Sequence, residues 1–302
     1  MNSTKSLDPQ ALPQPELHGY LLSAVAPRPI AFASTIDREG KVNLSPFSFF
    51  NVFSSNPPVM IFSPSRSGRD LTHKHSYLNV QEVPEVVINI VNYPIVEQMS
   101  LASTAYEKGV NEFVKAGLTQ VASEKVRPPR VAESPVAFEC MVDDVIELGQ
   151  GGGAGNLIIC RVVLIHVQTQ YLDASGVLDT RRLDLVGRMG GNWYTRASGD
   201  ALFEIPKPLQ KRGIGIDQLP ESIRNSPVLT GNNLGRLGNA EALPDAASVA
   251  AMRAEPQVAS VLETHKTAPE ACLTSLHRLA QQFIEQGNTL DALRILLVAE
   301  GV

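Results

Sequence analysis

The chain predicts a mainly-β fold with α additions, a closed or half-closed antiparallel barrel followed by a helical C-terminal extension. Three observations carry this reading. Between Leu17 and Arg196, six apolar runs are joined by turn residues with few intervening helices. The strand–helix alternation that builds a parallel sheet is missing there. Beyond Phe203 the texture changes to a connector punctuated by Pro and Gly, and then to apolar residues at three- and four-residue spacing.

Taken in order, residues 1–16 are polar with three prolines and read as a mobile or draped arm. A core domain follows over residues 17–203. Its strand runs are Ile30–Thr35, Leu44–Phe50, Val59–Ser63, Glu85–Val91, Val136–Leu148 and Asn156–Val167, the first two joined by the turn signal Asp37-Arg-Glu-Gly40. Helices are expected at Ile95–Ala102, introduced by Pro94, and at Asn111–Ala116, stopped by Gly117. Residues 204–302 form the extension, with a connector at 205–215 and mostly irregular chain from Gln218 to Pro244. Helices are then expected over Ala247–Glu263, Leu273–Gln286 and Thr289–Ala299. Leu273, Leu276, Leu279, Ala280 and Phe283 give the second an apolar face, Gly287-Asn288 closes it, and Thr289 caps the third. No internal repeat is visible.

Composition excludes several classes. A hydrophobic fraction of 43% supports a proper core. A net charge of −5 without a basic run disfavours a nucleic-acid partner. No apolar run approaches the ~20 residues that span a bilayer, and the N-terminal residues lack the apolar centre of a signal peptide. Three scattered cysteines suit a reducing cytoplasm, with Cys140 and Cys160 reading as small buried hydrophobes.

Gly149-Gln-Gly-Gly-Gly-Ala-Gly155 matches a dinucleotide fingerprint in form, but a strand-type run follows it where a helix is required. It reads as a hairpin loop able to approach a flat ligand. His73 and His75 flank Lys74, poor company for a metal ion, and His166 reads as a satisfied core histidine. No nucleophile motif of the G-x-S-x-G kind occurs, so the chemistry falls to a cofactor. Ser65, Arg66, Arg69, Thr72 and Lys74 crowd one bend, which is either a solvated loop or a phosphate cradle rich in charge-assisted donors. Asn43-Leu-Ser-Pro-Phe-Ser48, just before it, offers small hydroxyls and an aromatic wall, as a flat ring demands.

At these residues the chain resembles the flavin reductase-like family of FMN-binding split-barrel proteins, near its flavoredoxin branch. The matching segments are Pro27–Thr35, Asn43–Asn51, Pro57–Ser63, Ser65–Thr72, Glu85–Val91, Glu112–Thr119, Glu133–Cys140 and Val186–Tyr194, collinear over residues 17–196. The resemblance implies a split β-barrel holding FMN at a homodimer interface. Ser45, Pro46, Phe47 and Ser48 would line the isoalloxazine, and Ser63, Ser65, Arg66, Arg69 and Thr72 would hold the phosphate. Where the family often has Lys-Asp-Thr, this chain reads Arg69-Asp70-Leu71, with Thr72 as the replacement hydroxyl. Arg188, Trp193 and Tyr194 would lie near the open flavin face, Tyr194 ordering the substrate. NADH or NADPH would pass hydride to the flavin, with no side-chain acid or base required. The reduced flavin would serve a partner oxygenase. Two alternatives stand beside this one: a small organic substrate of the chain's own, under a lid at Gly213–Gly238, and a flavin-binding electron carrier.

Overall fold

In the computed structural model, which describes residues 3–205 and 212–301, the first apolar run becomes β1 (Ala31–Ile36) and returns as β2 (Val42–Phe47). Asp37 fixes the turn between them, its Oδ1 accepting from the backbone N–H groups of Glu39 and Lys41. Three more long runs give β4 (Pro58–Phe62), β5 (Glu85–Ile90) and β8 (Val136–Glu147), and β9 (Asn156–Val167) is the sixth. One strand was not expected. The apolar run read as Leu44–Phe50 breaks at Ser48-Phe49, and a separate β3 (Phe50–Ser55) pairs antiparallel with β4. Its residues are mostly exposed, so no inside–outside alternation marks it in the sequence.

These seven strands make one antiparallel sheet in the order β2-β1-β5-β8-β9-β4-β3. Its two edges, β2 and β3, are joined by only two residues, which keeps their ends within about 11 Å of each other. The sheet must therefore curl on itself into a split barrel. Ala31, Ala33, Phe47, Phe62, Val86, Ile88, Cys140, Ile158 and Cys160 fill one core. Ile30, Phe32, Leu44, Met99 and Phe113 form another on the opposite side of β1, so β1 is buried on both faces. Short β6 (Gln120–Val121) and β7 (Arg130–Val131) pair with each other, as do β10 (Leu185–Arg188) and β11 (Tyr194–Ala197).

The helices of this unit are α1 (Gln14–Ala24), α2 (His75–Glu82), α3 (Val96–Leu101), α4 (Glu112–Ala116) and α5 (Thr180–Leu183). Helix α1 begins inside the segment read as an arm. It buries none of its residues, so no apolar periodicity betrayed it.

Contacts divide the chain into two units, up to Phe203 and from Glu204 onward. The connector read at 205–215 falls largely on residues 206–211, outside the described residues. In the second unit the stretch read as irregular holds α6 (Glu221–Arg224) and α7 (Gly231–Gly238). Three glycines and two asparagines give α7 a poor intrinsic propensity. A reciprocal Thr230–Asn233 capping box and the burial of Leu237 offset this. The helix expected over Ala247–Glu263 is two, α8 (Ala246–Arg253) and α9 (Pro256–Thr264), because Pro256 lacks the N–H to continue and would clash with the carbonyl of Met252. Next come α10 (Pro269–Glu285) and α11 (Thr289–Ala299). Gly287 leaves α10 at a φ of 85°, and Asn288, not Thr289, holds the cap position of α11. Leu276, Ala280, Ile284, Leu293 and Leu296 lie at the centre of this second core.

Candidate functional site

The bend after β4 and the start of α2 concentrate the chemistry of the first unit. Ser63 is buried with its Oγ unpartnered, and Arg66 Nε, His73 Nδ1 and Asn156 Oδ1 are likewise buried without partners. Unsatisfied polar atoms of this kind call for an explanation, such as a ligand. Across the bend lies the Gly149–Gly155 loop, which joins the antiparallel pair β8 and β9 and is thus the hairpin read from the sequence. Arg66 N–H donates to the Ala154 carbonyl at 2.9 Å, and Gly153 N–H to that of Arg66 at 3.1 Å. A side chain at residue 155 would put its Cβ 2.7 Å from Ser63 Oγ, so glycine permits the close approach.

The predicted residues of the bend separate into two groups. Arg66 Nη2 donates to Glu147 Oε2 at 3.0 Å and to Gln150 Oε1 at 2.9 Å. Tyr77 donates to the other Glu147 oxygen at 2.6 Å. These bonds, Tyr77 foremost and then Arg66, hold the Glu147 carboxyl down at about 2. The guanidinium of Arg66 is thus already engaged by an anion. Thr72 is exposed, and its hydroxyl donates to Asp70 at 2.8 Å. Arg69 is exposed and its guanidinium has no partner among the described residues.

Ser45 and Thr72 meet instead in a cleft of about 210 Å³ that Asn43, His73, Lys74, His75, Ser76 and Tyr106 also line. Helix α2 opens into it with Lys74 at the cap position and no side chain capping its first turn. An uncapped helix N-terminus presents free N–H groups and partial positive charge. Lys74 adds an ammonium with no hydrogen-bond or ion-pair partner among the described residues. Ser76 accepts from Asn43 Nδ2 at 2.9 Å, which leaves its own hydroxyl proton free to donate. Burial, and then the charges of Lys108 and Lys74, lower the proton affinity of His75. The carboxyl of Glu112, at the cleft wall, is pushed up by burial and accepts from Leu44 N–H at 2.9 Å. This donor set suits a dianion such as a phosphate. Lys74 belongs to the cluster expected from the sequence and Asn43 to the segment beside it without a role of its own, whereas Ser76 and the helix end were not among the expected residues. A start for α2 at His75 was the signal that could have found them.

Along β2 from the cleft, Ser45, Pro46 and Phe47 lead to Ser48. Phe47 packs on Phe62 with ring centroids 5.3 Å apart and the planes tilted by 35°. Ser48 Oγ accepts from Arg28 Nε at 3.3 Å. Arg28 was part of a quoted motif but had no assigned role. On the β10–β11 hairpin, the Arg188 guanidinium lies 4.6 Å from the Tyr194 ring centroid and donates to the Trp193 carbonyl at 3.1 Å. Trp193 is 78% exposed. The structure thus brings Arg188 and Tyr194 together and leaves Trp193 in the open. His166 donates or accepts at 2.6 Å with the fully buried Glu139, a satisfied pair. Burial raises the Cys140 thiol to about 12, as an inert core cysteine requires.

A curled antiparallel sheet of this order defines a split-barrel protein, here with a polar cleft at one helix end whose donors suit an anion. The flavin reductase like domain matches residues 23–184, more than half of the chain. An uncharacterized protein of Halalkalibacterium halodurans, BH2278, is 38% identical over 208 residues, 68% of this chain and 99% of that one. Among solved structures, nitrilotriacetate monooxygenase component B from Bacillus cereus has a TM-score of 0.62 at 27% identity, covering 68% of this chain and all of that one. A protein of Shewanella frigidimarina described as a flavin reductase with a split barrel domain has a TM-score of 0.55 at 26% identity, covering 66% and 96%. This chain belongs to the flavin reductase-like family, a family of flavin-linked oxidoreductases. The helical unit from Glu204 onward lies outside the matched domain.

Proposed function

We propose that this chain is an FMN-dependent oxidoreductase that takes hydride from NADH or NADPH and makes reduced flavin available to a partner oxygenase. The observation that carries the reading is the uncapped α2 terminus with Lys74 in the polar cleft beside β2. Lys74, Ser76, Ser45 and the first N–H groups of α2 would hold the phosphate. Ser45 to Ser48 spans roughly 10 Å at ~3.3 Å per residue, room for a ribityl chain. Phe47, Pro46 and Ser48 would then wall the ring, and Arg188 and Tyr194 would receive the nicotinamide. FMN, when bound, supplies the hydride acceptor; the side chains bind, orient and exclude water. The oxygenase partner is suggested by the Bacillus cereus relative, which is named as a monooxygenase component. The three cysteines, all free and buried, suit a reducing cytoplasm.

A homodimer completes the reading. Phe49, Val52 and Phe53 around β3, Tyr20 and Leu21 of α1, and Val25 just after it are all exposed. Arg28 ties Ser48 to the Val25 carbonyl, so the two sets adjoin. An apolar patch of this extent fits a second copy of the chain.

The test separates the phosphate from the ring. Lys74→Ala is expected to weaken FMN binding roughly tenfold to a hundredfold, the worth of one charge-assisted bond, while riboflavin binding stays unchanged. Titration of the flavin-free protein with each compound measures this, and equal affinity of the unaltered chain for FMN and riboflavin would refute the phosphate site. Anaerobic bleaching of the bound flavin by NADH or NADPH tests the reductase reading, and absence of bleaching by both rejects it.

A further inference from the structure

Arg28 is 6% exposed, and each acceptor around it is neutral. Nη1 donates to the carbonyls of Leu22 and Val25, Nη2 to that of Met189 at 3.0 Å, and Nε to Ser48 Oγ at 3.3 Å. One guanidinium therefore joins three segments: the end of α1, the turn between β2 and β3, and the β10–β11 hairpin. Its own backbone adds two bonds to the hairpin, Arg28 N–H to the Arg188 carbonyl at 3.0 Å and Arg188 N–H to that of Arg28 at 2.8 Å. Two glycines let the hairpin come this close. A Cβ at Gly187 would lie 2.9 Å from Pro27 Cβ, and one at Gly190 would lie 3.1 Å from both Cα and Cβ of Ser23.

Burying a cation without a counter-ion is costly, and an apolar residue of similar size would serve stability better. Here the desolvation of Arg28 and the nearby charge of Arg188 disfavour its charged form. What the guanidinium gives in return is a forked set of donors that only its geometry can spread over three carbonyls and a hydroxyl.

We propose that Arg28 is a positioning residue that fixes the β10–β11 hairpin, with Arg188 and Tyr194, against the ring slot at Ser48. The assignment rests on the FMN reading of that slot. Arg28 would touch neither flavin nor nicotinamide. It would set the distance between the wall that holds the ring and the hairpin that receives the reductant.

Trp193, the chain's single tryptophan, sits in this hairpin and reports its motion without any flavin. Nanosecond fluorescence anisotropy of the full, flavin-free chain is expected to show only the restricted local motion of an exposed indole on an anchored hairpin, superposed on the tumbling of the protein. Arg28→Lys keeps the charge and loses the fork, so Trp193 gains fast local motion. Gly190→Ala, which leaves Arg28 intact and pushes the hairpin off Ser23, is expected to do the same. In the FMN-loaded chain both substitutions should raise the KM for NADH or NADPH on the order of tenfold while kcat changes by less than about twofold. Free tumbling of Trp193 in the unaltered chain overturns the proposal, a result that holds even if Arg28→Lys does not fold. Unchanged anisotropy and KM in both variants overturn it as well. An unaltered chain that neither binds FMN nor reacts with nicotinamide removes the FMN reading itself, and with it the role assigned to the hairpin.

Discussion

His277 on α10 is 1% exposed, with Nδ1 2.7 Å from Ser226 Oγ and Nε2 unpartnered. Burial lowers its proton affinity. The unfolded chain takes up a proton as pH falls through the ordinary histidine value of ~6.5, and the folded chain does so only at lower pH. The unfolded state therefore binds more protons in that window, so stability is full above ~6.5 and declines as pH drops below it. Melting temperatures on either side of that value should diverge more for the unaltered chain than for His277→Gln, and parallel pH profiles would exclude the histidine as the cause. At this scale the sequence showed which residues are charged but not which are free. Arg66, Arg69, Thr72 and Lys74 crowd one bend and look equivalent as neighbours in sequence. What distinguishes Arg66 is Glu147, 81 residues away, and what distinguishes Lys74 is the helix that begins beside it. Both are tertiary facts.

Elements were legible where burial was one-sided or complete. Runs such as Glu85-Val-Val-Ile-Asn-Ile-Val91 became strands because β-branched side chains fill a core on a pleated surface. Strand β3 and helix α1 escaped notice because both leave apolar residues in solvent, and α7 because capping and packing outweigh its glycines. The β8–β9 loop was read correctly as a hairpin, but its seat on the Ser63–Gly68 bend was invisible, since glycines carry no pattern. Gly155→Ala tests that seat. Its Cβ would meet Ser63 Oγ and force the loop or the bend to move, at a cost of about 1–3 kcal/mol, as for overpacked sites generally. Urea denaturation should show the loss in the midpoint, and an unshifted midpoint would mean that the loop is not held against Ser63.

At the scale of the whole molecule, the curl of the sheet and the apolar residues outside it bear on the same question. Closing β2 onto β3 through Ser48-Phe49 puts Phe49 and the start of β3 at the seam of the barrel. Phe53 remains 63% exposed and Val25, at the end of α1, 64% exposed. A single chain leaves these in water, whereas a second copy related by a twofold axis would cover each patch with its equivalent. A carboxylate introduced there would have to be buried unpaired twice in every dimer, once from each copy. On the proposed pairing through this patch, Phe53→Asp is expected to shift the sedimenting species from dimer to monomer while the melting of each chain stays cooperative. If FMN is held at that seam, the same variant should lose flavin affinity in step with dimer content as protein concentration is lowered. A dimer that survives Phe53→Asp would place the interface elsewhere on the barrel. Full FMN affinity in the monomer would make the site complete within one chain.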